Sequence, residues 1–253
     1  MSPASQDDAA GTGGALLSRG RFRARLAQRA ADLDKAQVLR GLAFFGPGGG
    51  PDTDPLDQRC RHVLIEDDNG LLLCCFRYLW FDSSAEIGSS YSAQYYDLSR
   101  LEAFGGPLIE LGRFCTRPGM VDPDVLRLAW GAIAALVDGG GARLLFGCAS
   151  FAGTEPARYD SAFGFLHARH AAPERWQIGV KAGEVVRFRP AGNAARGVLK
   201  QIPPLLRTYL GMGGWVSDHA VVDRQMNTLH VFTGVETAGI PPARTRALRA
   251  IAG

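Results

Sequence analysis

The chain of 253 residues is 46% hydrophobic and 21% charged, with a net charge of +3, the balance of a folded domain rather than of a disordered or fibrous chain. No apolar run approaches the roughly 18 residues of a membrane span, and no basic stretch followed by an apolar one opens the chain, so a secretory leader is not expected. Five cysteines without framework spacing, two of them adjacent at Cys74 and Cys75, argue against a disulfide scaffold and fit reduced thiols in a cytoplasmic protein.

Residues 1–18, rich in Ser, Ala, Gly and Asp, carry no apolar period and are expected to form a disordered tail. Over residues 21–41, Phe22, Leu26, Leu33 and Leu39 recur near helical spacing, which predicts a helix. Residues 46–51 are a Gly/Pro loop. Residues 62–66 and 71–79 flank Asp67-Asp68-Asn69-Gly70 and predict a β-hairpin turning at Asn-Gly. Residues 88–96 are polar and aromatic, a loop with a short strand, and residues 108–116 are a strand. Asp122-Pro123 predicts an N-cap and first helical residue. The helix it opens places Leu126, Trp130, Ile133 and Val137 on one face and ends at Gly139. A buried strand over 143–150, a helix over 163–171 and a strand over 184–189 follow. Pro203 then opens a short helix, residues 215–222 are strand or loop, residues 228–235 are a strand, and Pro241 opens a basic helix. The mixed order predicts an α/β fold with an open mixed sheet flanked by helices. We expect a core over residues 19–190 and an extension over 191–253 packed on it.

Charge is unevenly placed. Residues 19–40 carry +5 and residues 187–253 carry +6, while residues 41–186 carry −6. Two basic ends around an acidic centre suggest an acidic protein partner or an anionic lipid surface, if they are more than solvated helix faces. His167 and His170 are the one candidate metal pair, and no Cys or carboxylate at metal-site spacing joins them, so no metal is expected. Gly139-Gly140-Gly141 follows a helix instead of opening one, which is wrong for a phosphate cradle.

Ile109-Glu110-Leu111-Gly112-Arg113-Phe114-Cys115 is the informative segment. In a regular strand Glu110 and Arg113 would point to opposite faces. A bulge at Gly112 would bring both toward one site.

Four elements resemble the acyl-homoserine lactone synthases in the same order. They are Arg40-Gly-Leu-Ala-Phe44, Asp54-Pro-Leu-Asp57, Cys75-Phe76-Arg77-Tyr78-Leu79 and Glu110-Leu-Gly-Arg113-Phe114. A closer resemblance, over nearly the whole chain past Arg19, is to the bacterial ornithine–acyl-[acyl carrier protein] N-acyltransferases. It is carried by Leu39-Arg-Gly-Leu-Ala-Phe44, Ser89-Ser-Tyr-Ser-Ala-Gln-Tyr-Tyr-Asp-Leu98, Glu110-Leu-Gly-Arg-Phe-Cys115, Leu145-Phe-Gly-Cys-Ala-Ser-Phe151 and Asn227-Thr-Leu-His-Val-Phe-Thr233. The resemblance implies a GNAT fold and transfer of a (3-hydroxy)acyl chain from acyl carrier protein to the α-amine of L-ornithine, giving lyso-ornithine lipid. It implies no resident cofactor, since the donor carries its own phosphopantetheine, and no nucleic-acid partner. The coenzyme A loop of ordinary acetyltransferases has no match in Arg117-Pro-Gly-Met-Val-Asp-Pro-Asp124, where Pro118 and Pro123 lack amide donors.

On this reading Glu110 is the candidate base, with a structural Glu110–Arg113 pair as the alternative. Backbone amides at Gly112–Phe114 are candidate oxyanion donors, with Ser150 second. Arg77 and Arg113 would bind the acceptor carboxylate. Asp54 and Asp57 would either receive the ornithine side-chain ammonium or hold Arg40. Arg40, Phe44 and Phe114 belong to the same substrate-binding set, and Phe76, Trp80, Phe114, Trp130 and Phe146 are expected to include walls of an acyl tunnel. An autoinducer synthase, another amino-acid N-acyltransferase and a non-catalytic binder of acyl carrier protein are the competing readings. Localisation is expected to be cytoplasmic, with at most peripheral contact between an anionic inner membrane and the terminal helix bearing Arg244, Arg246 and Arg249.

Overall fold

Strand β1 (Ala15–Arg19) opens the part of the chain that the computed structural model describes, residues 15–120, 122–190 and 197–252. Residues 15–18 are therefore strand, where a disordered tail was expected; the rest of that tail lies outside the described residues. Strand β2 (Phe22–Leu26) follows, and here a helix was expected. Phe22 and Ala24 are buried while Arg23 is exposed, the two-residue alternation of a strand with one face on the core. The helix, α1, runs over Ala30–Phe45.

The expected hairpin is β3 (Arg61–Asp67) and β4 (Leu72–Phe81). The Asp67 carboxylate accepts from the amides of Asn69 and Leu71, and Gly70 takes φ +77° in the turn. Short 3-10 turns over residues 84–103 lead through β5 (Tyr96–Asp97) to β6 (Leu108–Thr116). Helix α2 spans Pro123–Gly140. The Asp122 carboxylate accepts from the Asp124 amide at its start, and Gly141 closes it at φ +66°. Its buried face is Val125, Leu128, Ala129, Ala132 and Ile133; Leu126, expected on that face, is 40% exposed. Then come β7 (Leu144–Ala152), α3 (Asp160–His170), β8 (Gly179–Val180), β9 (Val185–Arg187), α4 (Pro204–Leu210), β10 (Trp215–Val216), β11 (His219–Asp223), β12 (Thr228–Glu236) and α5 (Pro242–Ala252).

Ten strands form one sheet in the order β1-β2-β3-β4-β6-β7-β12-β11-β9, with β10 on β12. The β6–β7 pair is parallel and the others are antiparallel. Strand β12 pairs with β7 from Thr228↔Ala152 to Glu236↔Leu144. Residues past 191 thus supply three strands to the sheet itself, beyond the expected packing against it. Side-chain alternation sends one face of the sheet onto α2, α3 and α4, and the other onto α1 and the turns of residues 84–103. Helix α5 lies on α2, with Ile251 against Gly131 and Arg249 paired to Asp138.

Two local features place the site. On β6, Cys115 pairs with Cys75 but Gly112 pairs with Arg77, so Arg113 and Phe114 together oppose Phe76 alone. This is the bulge that Gly112 predicted, with Arg113 at φ +52°. The parallel ladder of β6 and β7 ends at Leu111↔Gly147, beyond which the two strands diverge. A Cβ on Gly147 would strike the Leu111 carbonyl oxygen, so glycine allows the last close approach before they part.

Candidate active site

The bulge puts Arg113 on the α1 face of the sheet with Glu110 and Gly112, and Phe114 on the α2 face with Ile109 and Leu111. Phe114 there stacks between Phe76 and Trp130, at centroid distances of 5.8 and 6.3 Å. Arg113 instead enters a closed ring of alternating charge. Its Nε donates to Asp52 at 2.9 Å and its Nη2 to Asp54 at 2.9 Å. Arg77 donates to Asp54 at 2.9 Å and Asp57 at 2.6 Å. Arg40, 1% exposed, closes the ring on Asp57 at 2.8 Å and Asp52 at 2.6 Å. Each arginine bridges two aspartates and each aspartate two arginines. Burial works to raise the Asp57 pKa, and hydrogen bonds from Arg40, Gln37 and Arg77 outweigh it and hold the group below the usual carboxylate range. Asp54 is lowered against its burial in the same way, chiefly by Arg77.

A cavity of about 500 Å³ opens where β6 and β7 part. Its wall on the α1 face is polar: Arg77, Tyr91, Arg113, Ser150, Asp223, Thr228 and His230, beside Phe44. Its wall on the α2 face is apolar: Leu111, Phe114, Ala149, Phe151, Leu205, Leu206 and Tyr209. The cavity thus passes through the sheet, polar at one end and greasy at the other. Phe76 and Trp130 back Phe114 from behind instead of lining it. Trp80, expected in the tunnel wall, lies against Gly140, and Phe146 packs with Phe81 and Phe232.

Of the residues singled out from sequence, Phe44, Arg77, Arg113, Phe114 and Ser150 line this cavity. Arg40, Asp54 and Asp57 lie behind the wall in the charge ring. Asp57 holds Arg40 and Arg77, and Asp54 holds Arg77 and Arg113. Arg77 and Arg113 each use two of the five N–H donors of a guanidinium on the ring, so both keep donors for a ligand. Glu110 is 5% exposed and does not line the cavity. Its Oε2 accepts from the Tyr91 amide at 2.8 Å, and its Oε1 accepts from the Ser92 amide at 2.7 Å and the Ser92 hydroxyl at 2.6 Å. Burial pushes its pKa up, and these hydrogen bonds restrain the rise. Glu110 and Arg113 meet on either side of Tyr91, whose ring lies 5.1 Å from the Arg113 guanidinium carbon, rather than in a direct pair. No group of three metal-ligating side chains occurs among the described residues.

Sequence reasoning missed Asp52, Tyr91, Asp223 and His230. Asp52 sits in a Gly/Pro loop without period. Tyr91 and His230 lie inside segments quoted for the family resemblance, which was the available signal.

A family model described as an acetyltransferase (GNAT) domain matches residues 45–131, from the end of α1 to the middle of α2. Among solved structures, FeeM, an N-acyl amino acid synthase from uncultured soil microbes, superposes with a TM-score of 0.52 at 10% identity, over 86% of this chain and 93% of that one, a likeness of fold. The L-ornithine N(alpha)-acyltransferase of Brucella abortus is 29% identical over 242 residues, 86% of this chain and 85% of that protein. That of Rhodobacter capsulatus is 32% identical over 235 residues, 85% of this chain and 90% of that protein. With this overall match, a ten-stranded GNAT-like sheet and a cavity at the strand divergence, the chain is an acyltransferase and belongs to the L-ornithine N(alpha)-acyltransferase family.

Proposed function

We propose that this acyltransferase moves a (3-hydroxy)acyl chain from the phosphopantetheine of acyl carrier protein to the α-amine of L-ornithine, giving lyso-ornithine lipid. One observation carries the acceptor: among the described residues Asp223 is the only carboxylate in the cavity wall, on the same polar side as two arginines. A diamino acid has complementary chemistry. Its carboxylate takes the spare donors of Arg113 and Arg77, and its side-chain ammonium takes Asp223. The relatives' names point the same way. The apolar end, floored by Phe114, Phe151 and Tyr209, suits the acyl chain. Gly112–Phe114, where the bulge leaves an amide out of the ladder, suits the developing oxyanion, with Ser150 opposite.

The start of α2 supports a carrier-protein donor. One of its amides, that of Asp124, already meets the Asp122 carboxylate, and the Asp124 side chain adds negative charge beside Arg19 and Arg127. A coenzyme A pyrophosphate would be repelled there, whereas a phosphodiester on an acidic protein needs only a basic docking face. Exposed Arg21, Arg23, Arg29 and Lys35, on or just before β2 and α1, offer one, with Arg21 and Lys35 only loosely held by Asp122 at 4.0 Å and Glu66 at 3.8 Å. The other basic residues of that region, Arg25 and Arg40, are spent on Asp32 and Glu66 and on the charge ring. No described helix is long and apolar enough to cross a membrane. The reading places the enzyme in the cytoplasm with its product passing to the inner membrane.

Purified protein, 3-hydroxyacyl carrier protein and L-ornithine should yield N-acylornithine by mass spectrometry. Asp223→Asn should raise KM for ornithine about 10- to 100-fold, the cost of a lost charged hydrogen bond of about 1.5–3 kcal/mol, with kcat little changed. Equal turnover with a monoamino acid, or with acyl-coenzyme A, would overturn the assignment.

A further inference from the structure

We infer that His230 is the proton acceptor for the attacking amine, held in its base form by Tyr96. This rests on the acyl transfer proposed above and names the group that serves it.

The Tyr96 hydroxyl lies 2.7 Å from the His230 carbonyl oxygen and 3.1 Å from the His230 ring Nδ1. A phenol has one proton, and the carbonyl can only accept, so that proton goes to the carbonyl. The contact with Nδ1 is then made by an Nδ1–H donating to the phenolic oxygen. With Nδ1 protonated, the neutral ring has its lone pair on Nε2. That atom is buried and has no partner among the described residues, in a residue that lines the cavity and is 2% exposed. An orphaned acceptor in a buried site costs free energy, and such groups cluster where function retains them.

The surroundings keep the ring neutral. Burial lowers its pKa to about 4, with Asp223 opposing and His219 adding to the shift. The titratable groups around it are Tyr95 and Tyr96 from one side of the sheet, His219 and Asp223 from β11, and Cys148 two positions from its β7 partner Ser150. Tyr95 also meets the ring edge-on at 5.0 Å, fixing its plane.

The step balances simply. The acceptor arrives as free amine, its first proton lost to solvent. Its nitrogen forms a bond to the thioester carbonyl carbon, and His230 Nε2 takes the second proton as the nitrogen becomes cationic and strongly acidic. The tetrahedral adduct collapses, the C–S bond breaks with its electron pair on sulfur, and the imidazolium returns the proton to the thiolate. Amide and thiol leave, and the ring is again neutral.

His230→Asn keeps a side-chain N–H near Tyr96 and deletes the Nε2 lone pair. It should lower kcat by about 10² to 10⁴ while leaving KM for donor and acceptor and the melting temperature near wild type. His230→Gly should regain part of its turnover with added imidazole, which a purely structural histidine would not. Undiminished kcat in the asparagine variant, or loss in both variants without imidazole rescue, would overturn the inference. Each ratio is taken to wild type on whichever amine wild type acylates, so failure to use ornithine would fall on the acceptor assignment alone.

Discussion

Arg40, Arg77 and Arg113 share three aspartates, so removing any one member strands two partners in a dry site. Taking one charge from a buried pair typically costs about 3–5 kcal/mol, because the partner stays desolvated and uncompensated. Arg40→Met, behind the cavity wall, should therefore lower unfolding free energy in urea by roughly that amount, and a loss below about 1 kcal/mol would mean that water reaches the ring. Glu110 makes a different prediction. Glutamine in its place keeps one oxygen for Ser92 but turns its NH2 toward the Tyr91 amide, so the tyrosine that covers Arg113 should loosen. We expect Glu110→Gln to lose turnover by about tenfold or more, from one displaced charge-assisted hydrogen bond, with KM for ornithine raised as well. Loss confined to kcat would return Glu110 to the proton-transfer step. Arg40, Asp54, Asp57, Arg77 and Arg113 were legible because their spacing matched a known pattern. Which partner each holds was not, since that depends on a bulge and a loop meeting in space. Asp52 carries no local signal at all, and its partners lie 12 and 61 residues away.

At the scale of elements, the strand that carries the site was read from sequence with its true ends, residues 108–116. A glycine between a carboxylate and an arginine also marked the bulge. Strand β2 was not legible: Phe22 and Leu26 stand four apart, a spacing that a helix and a period of two both satisfy. The insertion of β12 beside β7 was equally hidden, because pairing across some eighty residues leaves no local trace. Gly147 tests the geometry. A methyl group there would push against the Leu111 carbonyl just where β6 and β7 begin to part. Gly147→Ala should distort the cavity and cut kcat/KM strongly, and a crystal structure of that variant with an unchanged strand gap would refute the role given to this residue. The terminal helix takes one of the two roles its pattern allows. Ile251 and Leu248, whose pattern suited either a lipid interface or ordinary packing on the core, are committed to α2 and its core. Binding of the protein to anionic vesicles should accordingly be electrostatic only, reduced by neutralising Arg244 and Arg246 and lost at about 0.5 M salt, where the Debye length falls below about 5 Å.

For the whole molecule, the carboxylates in ion pairs set the response to acid. Asp32, Asp54 and Asp57 all lie below their ordinary value of 3.8. A carboxylate depressed in the folded state contributes stability above its unfolded pKa and loses it as pH falls through the folded one. The urea midpoint should thus be flat from about pH 7 to 5 and fall steeply below about pH 4. A midpoint that does not change down to pH 3 would show that the ring is not ionised as described. Docking of the donor belongs to this scale too: the rate with acyl carrier protein should fall as salt screens Arg21, Arg23, Arg29 and Lys35, while kcat at saturation stays constant.

The cavity that runs from one face of the sheet to the other has a kinetic consequence. Its polar and apolar ends give amine and acyl thioester separate places in the gap, so neither has to leave before the other arrives. The thiol nearest the gap, Cys148, is pushed up to about 12 by burial and stays protonated at neutral pH, unfit to carry the acyl group in between. Initial-velocity plots against either substrate should therefore give intersecting lines, the signature of a ternary complex. Parallel lines, together with an acylated enzyme trapped in the absence of amine, would mean that the chain is handed on in two stages.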